Sequence, residues 1–221
     1  MLGKEINLLI NYPKTKRDIN KRLEEKTEKH RAIARKFEKD FFDGDRKVGY
    51  GGFNYNPKYW TKVVKDIYNY YKLKSGDRIL DVGCAKGFML YDFLKLDSKL
   101  NVFGIDISNY AIDKCIESLK GQLKKENATS LPYPDKHFDL VISINTLHNL
   151  DGEDLIVAFN QITRVTKKNS YIVLDAYSNE KEKEELVNWN LTAKTIKHVD
   201  DWKNFFKKIN FRGDFYWFKP L

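Results

Sequence analysis

Between residues 78 and 88 the chain reads Arg-Ile-Leu-Asp-Val-Gly-Cys-Ala-Lys-Gly-Phe, an acid, Asp81, followed at alternate positions by Gly83, Ala85 and Gly87. Small residues at that spacing let a ligand come close to the backbone. Ile79, Leu80 and Val82 form a short apolar run after the turn residues Ser75-Gly76-Asp77, and Phe88 to Leu96 carries apolar residues at helical spacing. Strand, small-residue loop and helix in that order make a nucleotide cradle. Its second part is an acid at the end of the next strand, and Asp106 closes Asn101-Val-Phe-Gly-Ile-Asp about 20 residues further on, placed to accept from ribose hydroxyls. The loop lacks the G-x-G-x-x-G of dinucleotide sites. An acid beside it suits a cationic adenosine-containing ligand better than pyrophosphate.

With these residues the chain resembles the class I S-adenosylmethionine-dependent methyltransferases of small-molecule type, whose first motif is an acid followed by G-x-G-x-G. Ala85 replaces the middle glycine. The resemblance covers about residues 60 to 219. It is carried further by Glu126-Asn127-Ala128 and by Leu131-Pro-Tyr-Pro-Asp-Lys-His-Phe-Asp139-Leu-Val-Ile-Ser143. It implies an α/β fold: a Rossmann-like, seven-stranded, mostly parallel sheet with helices on both faces, here with an N-terminal helical extension. It also implies S-adenosyl-L-methionine as cofactor and S-adenosyl-L-homocysteine as product. Asp81, Gly83, Cys84, Ala85, Gly87 and Asp106 would hold the cofactor, with Ile107 against adenine, Ala128 beside it and Asn145 at the end of the fourth strand. Asn127 stands where the family commonly has Asp; its amide oxygen still accepts from the adenine amino group.

The elements that must position these residues follow from periodicity. Lys62 to Leu73 reads as an amphipathic helix leading into the first strand, and Ser108 to Leu119 as a helix capped by Ser108. Asp139 to Ile142 is the fourth strand and Asp154 to Val165 the helix after it. Lys167 to Ser170 reads as a turn and Ser170 to Ala176 as the fifth strand, with Asp175 and Tyr177 emerging beside the site. Lys181 to Glu185 is charged and expected to be exposed. Leu191 to His198 and Asp214 to Phe218 would supply the last two strands, joined by a helix from Asp200 to Ile209.

Residues 60–221 form the expected catalytic domain, and residues 1–59 an extension. In the extension Ile19, Leu23, Ile33 and Phe37 recur at near-helical spacing within a charged run from Thr15 to Asp40. Aromatics and glycines then alternate from Phe41 to Trp60. Such a loop should fold against something, which places Tyr50 at the cofactor and Phe53 and Tyr55, with Tyr177, at the substrate.

Methyl transfer from a sulfonium requires alignment of the nucleophile and removal of its proton. Of the four histidines, His148 alone falls just beyond a strand at the ligand-binding edge, within Ser143-Ile-Asn145-Thr-Leu-His148. It is the expected catalytic base, with Tyr177, Asp175 and Tyr50 as other candidates. Asn145-Thr-Leu-His148 replaces the Asn/Asp-Pro-Pro-aromatic sequence of enzymes that stack a flipped base, so the expected acceptor is a hydroxyl or amine of a small molecule, a sugar or surface-glycan precursor by analogy. An RNA methyltransferase and a non-catalytic partner subunit are the alternatives.

Forty basic residues against 31 acidic ones leave a formal charge of +9 in 221 residues. The lysines are spread along the chain, which reads as a soluble surface rather than a nucleic-acid face. Cys84 and Cys115 have neither disulfide nor zinc spacing, and Asp43 and Asp45 lack the later ligands of a calcium loop, so no metal is expected. No apolar run is long enough to span a membrane. A cytoplasmic monomer or homodimer is the expectation.

Overall fold

The computed structural model describes residues 2–14 and 27–219. Seven strands form one sheet: β1 (Arg78–Val82), β2 (Asn101–Asp106), β3 (Leu123–Lys125), β4 (Phe138–Ile144), β5 (Thr166–Tyr177), β6 (Lys197–His198) and β7 (Asp214–Phe218). Their order is β3-β2-β1-β4-β5-β6, and β7 also pairs with β5. Every one of these pairings is parallel. β7 covers Tyr171 to Asp175 of β5, and β6 takes up Ala176 and Tyr177.

Side chains that alternate along the strands build two cores. Ile79, Leu140, Ile142, Tyr171 and Val173 enter one apolar cluster, while Leu80, Val82, Val141, Ile172 and Leu174 enter the other. A period of two sends neighbours to opposite faces, and crossover helices bury both. Each fully buried Leu, Ile or Val contributes about 1.5–3 kcal/mol.

On the first face lie α3 (Pro57–Tyr70) and α4 (Phe88–Leu96), through Val64, Ile67, Leu90 and Phe93. α3 begins with Pro57, and the Asn56 side chain accepts from the Lys58 amide at 3.1 Å. On the other face lie α6 (Gly152–Val165) and α8 (Val199–Lys208), through Phe159, Ile162, Trp202 and Phe206.

Several expectations are corrected. Lys167 to Ser170 is not a turn: α6 ends at Val165 and β5 begins at Thr166, because β4 provides backbone partners from Phe138 onward. Lys168 meets Asp139 at 3.0 Å and Asp77 at 3.2 Å, which accommodates charge at the strand's start. The helix from Ser108 to Leu119 is α5 (Asn109–Asp113) followed by a 3₁₀ turn, Glu117–Leu119. The Ser108 cap forms as expected, accepting from the Ala111 amide at 3.0 Å, but the Ile116 amide turns aside to donate to the Lys86 carbonyl at 3.2 Å. Lys181 to Glu185 is exposed to half-buried, in keeping with its charge, and belongs to a helix, α7 (Glu180–Trp189), capped by Asn179 and anchored by buried Leu186. Of Leu191 to His198 only the last two residues are strand. Asn190 Oδ1 accepts from the Thr192 and Ala193 amides and holds the preceding stretch in a turn.

The N-terminal stretch contributes to the sheet. The Ile6 amide donates to Phe215 O and the Phe215 amide to Lys4 O, both at 2.9 Å, so it lies along the far edge of β7. The single helical stripe expected further on is two short helices, α1 (Glu28–Ala34) and α2 (Lys39–Asp43), with Phe37 between them in a left-handed conformation. Ile19 and Leu23 lie outside the described residues.

Candidate functional site

The carboxyl ends of β1, β2, β4 and β5 open into a cavity of about 1300 Å³. A site for one small ligand occupies roughly 300–1,000 Å³, so the space admits two. The loop after β1 forms one wall. Gly83 has φ +88°, and a Cβ there would fall 2.1 Å from Thr146 Oγ1. Gly87 has φ +82° and packs against Leu119 and Leu123, where a Cβ would come within 2.8 Å. Gly87 therefore shapes the start of α4 and does not line the cavity. Ala85 also adopts the left-handed region, φ +49°, at some cost for a residue with a Cβ.

The loop is pinned to β2. The Gly83 and Cys84 amides donate to Ile105 O at 2.8 and 2.9 Å. The Ala85 amide donates to Asp106 Oδ2 and the Ser108 amide to Oδ1, each at 2.9 Å. Burial raises the Asp106 pKa despite those amides. Burial, and then the Asp106 charge, push Asp81 up to about 8. An acid so placed takes its proton at neutral pH unless a cation arrives beside it.

Tyr50, Phe53, Tyr55, Asp81, Cys84, Ile107, Asn127, Ala128, Asn145 and His148 all line the cavity. Ile107 presents an exposed apolar face, 46% accessible. Asn127 Oδ1 already accepts from the Thr129 amide at 3.0 Å. Asn145, at φ +55°, has its Oδ1 buried without a partner. Tyr177 is not among the lining residues. β5 runs past its pairing with β7 to meet β6, and this carries the Tyr177 ring against His198, 5.6 Å between centroids.

His148 is 4% exposed. Its Nδ1 accepts from the Asp175 amide at 3.1 Å, with Asp175 Oδ1 3.5 Å away. Burial lowers its pKa, although the Asp175 charge opposes this. The Asn190 side-chain amide donates to Asp175 Oδ2.

Lys86 was absent from the expected site, yet it joins the loop to the aromatic segment. It is 5% exposed, and its Nζ donates to Asp43 Oδ1 at 2.5 Å and to Phe53 O at 2.8 Å. Tyr110 OH donates to Asp43 Oδ2 at 2.8 Å. Burial alone would raise the Asp43 pKa, but Lys86 and Tyr110 hold it below the usual range. A second tie is Tyr55 OH to Asp92 Oδ1 at 2.7 Å, which Thr61 joins at 3.1 Å. A lysine among loop glycines was a visible signal; its partner was not. Among the described residues no group of three potential ligands could hold a metal ion.

A methyltransferase-domain family model matches residues 73–213, more than half of the chain. The chain belongs to that family. Over 112 residues it is 35% identical to an uncharacterized methyltransferase of Schizosaccharomyces pombe, covering 45% of this chain and 40% of the relative. Over 116 residues it is 29% identical to the demethylmenaquinone methyltransferase of Lactobacillus johnsonii, covering 49% and 47%. The matches thus span less than half the length of these relatives. Among solved structures, a SAM-dependent methyltransferase from Archaeoglobus fulgidus has the same fold, with TM-score 0.53 and 24% identity, covering 79% of this chain and 72% of that one. The YcgJ protein of Bacillus subtilis aligns with TM-score 0.53 at 17% identity, covering 66% of each.

S-adenosylmethionine is the cofactor of this methyltransferase class, and the residues present fit it. The left-handed turn at Gly83 and Ala85 admits close approach, Asp106 offers carboxylate oxygens that hydroxyl donors can reach from the cavity, and Asp81 favours a cationic group. The unpartnered Asn145 Oδ1 can accept from a donor in the cavity.

Proposed function

We propose that this methyltransferase moves a methyl group from S-adenosylmethionine to a hydroxyl or amine of a small molecule, a sugar or surface-glycan precursor being one such acceptor. The observation that carries the reading is one cavity, larger than a single-ligand site, lined both by the β1 loop and Asp106 and by His148 and Asp175. When bound, the cofactor supplies an electrophilic methyl group with a neutral thioether as leaving group. Asp106 would hold the ribose, Asp81 the ammonium of the methionine tail, and Ile107 and Asn127 the adenine. His148 is the group that would touch the acceptor. The segment with Tyr50, Phe53 and Tyr55, tied down by Lys86 and Asp92, would exclude water and orient both reactants. Alignment of this kind supplies about 7–11 kcal/mol in favourable systems. The name of the Lactobacillus relative designates a small-molecule acceptor and supports that part of the reading.

Calorimetric titration with S-adenosylhomocysteine, repeated on Asp106→Ala and Asp106→Asn, tests the reading. Binding that the alanine abolishes and the asparagine partly restores is expected; no binding by the folded wild-type chain sinks the proposal.

A further inference from the structure

The Asp175 amide hydrogen points at His148 Nδ1 at 3.1 Å, while Asp175 Oδ1 is 3.5 Å away, beyond good hydrogen-bond length. A proton on Nδ1 would meet the amide hydrogen, so Nδ1 stays bare and the neutral ring carries its proton on Nε2. Nε2 has no partner among the described residues, and the ring lines the cavity. Burial opposes the imidazolium that a general base would have to become. The ring is therefore built to donate.

A sugar alcohol needs a base at this point. An acidic hydroxyl does not, because it loses its proton to solvent before transfer. The surrounding wall suits a flat acceptor. Phe218 pairs in register with Asp175, and Tyr12 arrives on the N-terminal stretch along the other edge of β7, with Trp60 5.1 Å from it between ring centroids. All three line the cavity, as do Arg35, Arg46 and Lys194. Arg35 Nε is buried there with no partner, while its Nη1 pairs with Glu28 at 2.9 Å; Asp81, Asp106 and Asp175 line the same cavity.

We infer that the acceptor is a flat, acidic hydroxyl compound, a phenol or enol, held as its oxyanion by His148 Nε2–H. The inference rests on the methyl-transfer reading and narrows its acceptor. The oxyanion oxygen forms a bond to the methyl carbon as the carbon–sulfur bond breaks. That electron pair stays on sulfur, the two charges cancel, and no proton moves in the step.

The test uses the full chain saturated with S-adenosylhomocysteine, titrated with 4-nitrophenol, whose absorbance reports ionisation, and with 4-nitrobenzyl alcohol as the non-acidic counterpart. The phenolate is expected to bind with its apparent pKa lowered by about one unit, and at least about tenfold more tightly than the alcohol. His148→Gln, which keeps a donor near the Nε2 position but cannot serve as a base, should hold the phenolate nearly as well; His148→Leu should lose about tenfold. Equal binding of phenol and alcohol, binding of the neutral phenol, binding of neither, or a loss in the glutamine variant as deep as in the leucine variant overturns the inference. S-adenosylhomocysteine affinity, measured on the same proteins, shows separately whether the cofactor site stands.

Discussion

Replacing Lys86 by Met keeps the side chain's stem and deletes its ammonium, and with it the hydrogen bonds to Asp43 and Phe53 that tie the loop to the aromatic segment. Charge-assisted hydrogen bonds contribute about 1.5–3 kcal/mol each. Asp43 retains Tyr110 and is 28% exposed, so water can recover part of its solvation. A net loss of about 2–4 kcal/mol in docking the segment follows, somewhat less than the ~3–5 kcal/mol that breaking a fully buried pair costs. Tyr50, Phe53 and Tyr55 line the cavity, so much of that loss should be felt by whatever they enclose. With about 1.4 kcal/mol per tenfold, S-adenosylhomocysteine affinity should fall about 10- to 100-fold by calorimetry. Because the Lys86–Asp43 contact is already lost in Lys86→Met, adding Asp43→Asn, whose amide oxygen can still accept from Tyr110, should weaken binding by less than Asp43→Asn does alone. A folded Lys86→Met protein that binds within about twofold of wild type, or losses that simply add in the double variant, would refute the coupling of loop and segment.

The Asp81 pKa of about 8 lies above its unfolded value, so the folded state binds the extra proton. Stability from this group is full below about pH 4 and is lost as pH rises through 8, whereas Asp81→Asn should flatten that slope in urea denaturation. A cationic ligand group expels the same proton. Affinity should therefore rise about tenfold per pH unit up to pH 8, with proton release detectable by calorimetry in two buffers; a flat profile would show that Asp81 does not meet the cation. Ala85→Gly removes a left-handed Cβ costing about 1–2 kcal/mol, partly offset by backbone entropy. The variant should gain up to about 1 kcal/mol in chemical denaturation, and a loss would mean that the turn relies on the methyl group.

The β1 loop, Asp106 and the alternating apolar runs were legible because each depends on a few neighbouring residues. A positive φ calls for a small side chain, a period of two calls for a sheet buried on both faces, and a helix requires a set interval before the next acid. Ser108 was readable as a cap for the same reason. The same local reasoning misjudged Lys167 to Ser170, whose polar composition signals a turn, because β4 supplies partners that local propensity does not contain.

The parallel α/β framework, the small-residue loop after β1 and the acid that closes β2 are set by residue type and spacing along one stretch of chain, so the sequence alone was enough to read them. Tertiary structure alone decided the rest. Lys86 meets Asp43 from 43 positions away, and His148 receives its hydrogen bond from an amide 27 positions on. The N-terminal stretch reaches β7 near the other end of the chain, and the Tyr177 ring packs on His198 of β6. The physical reason is that a side chain's protonation, tautomer and direction are governed by groups that packing brings within about 3–4 Å, whatever their distance along the chain.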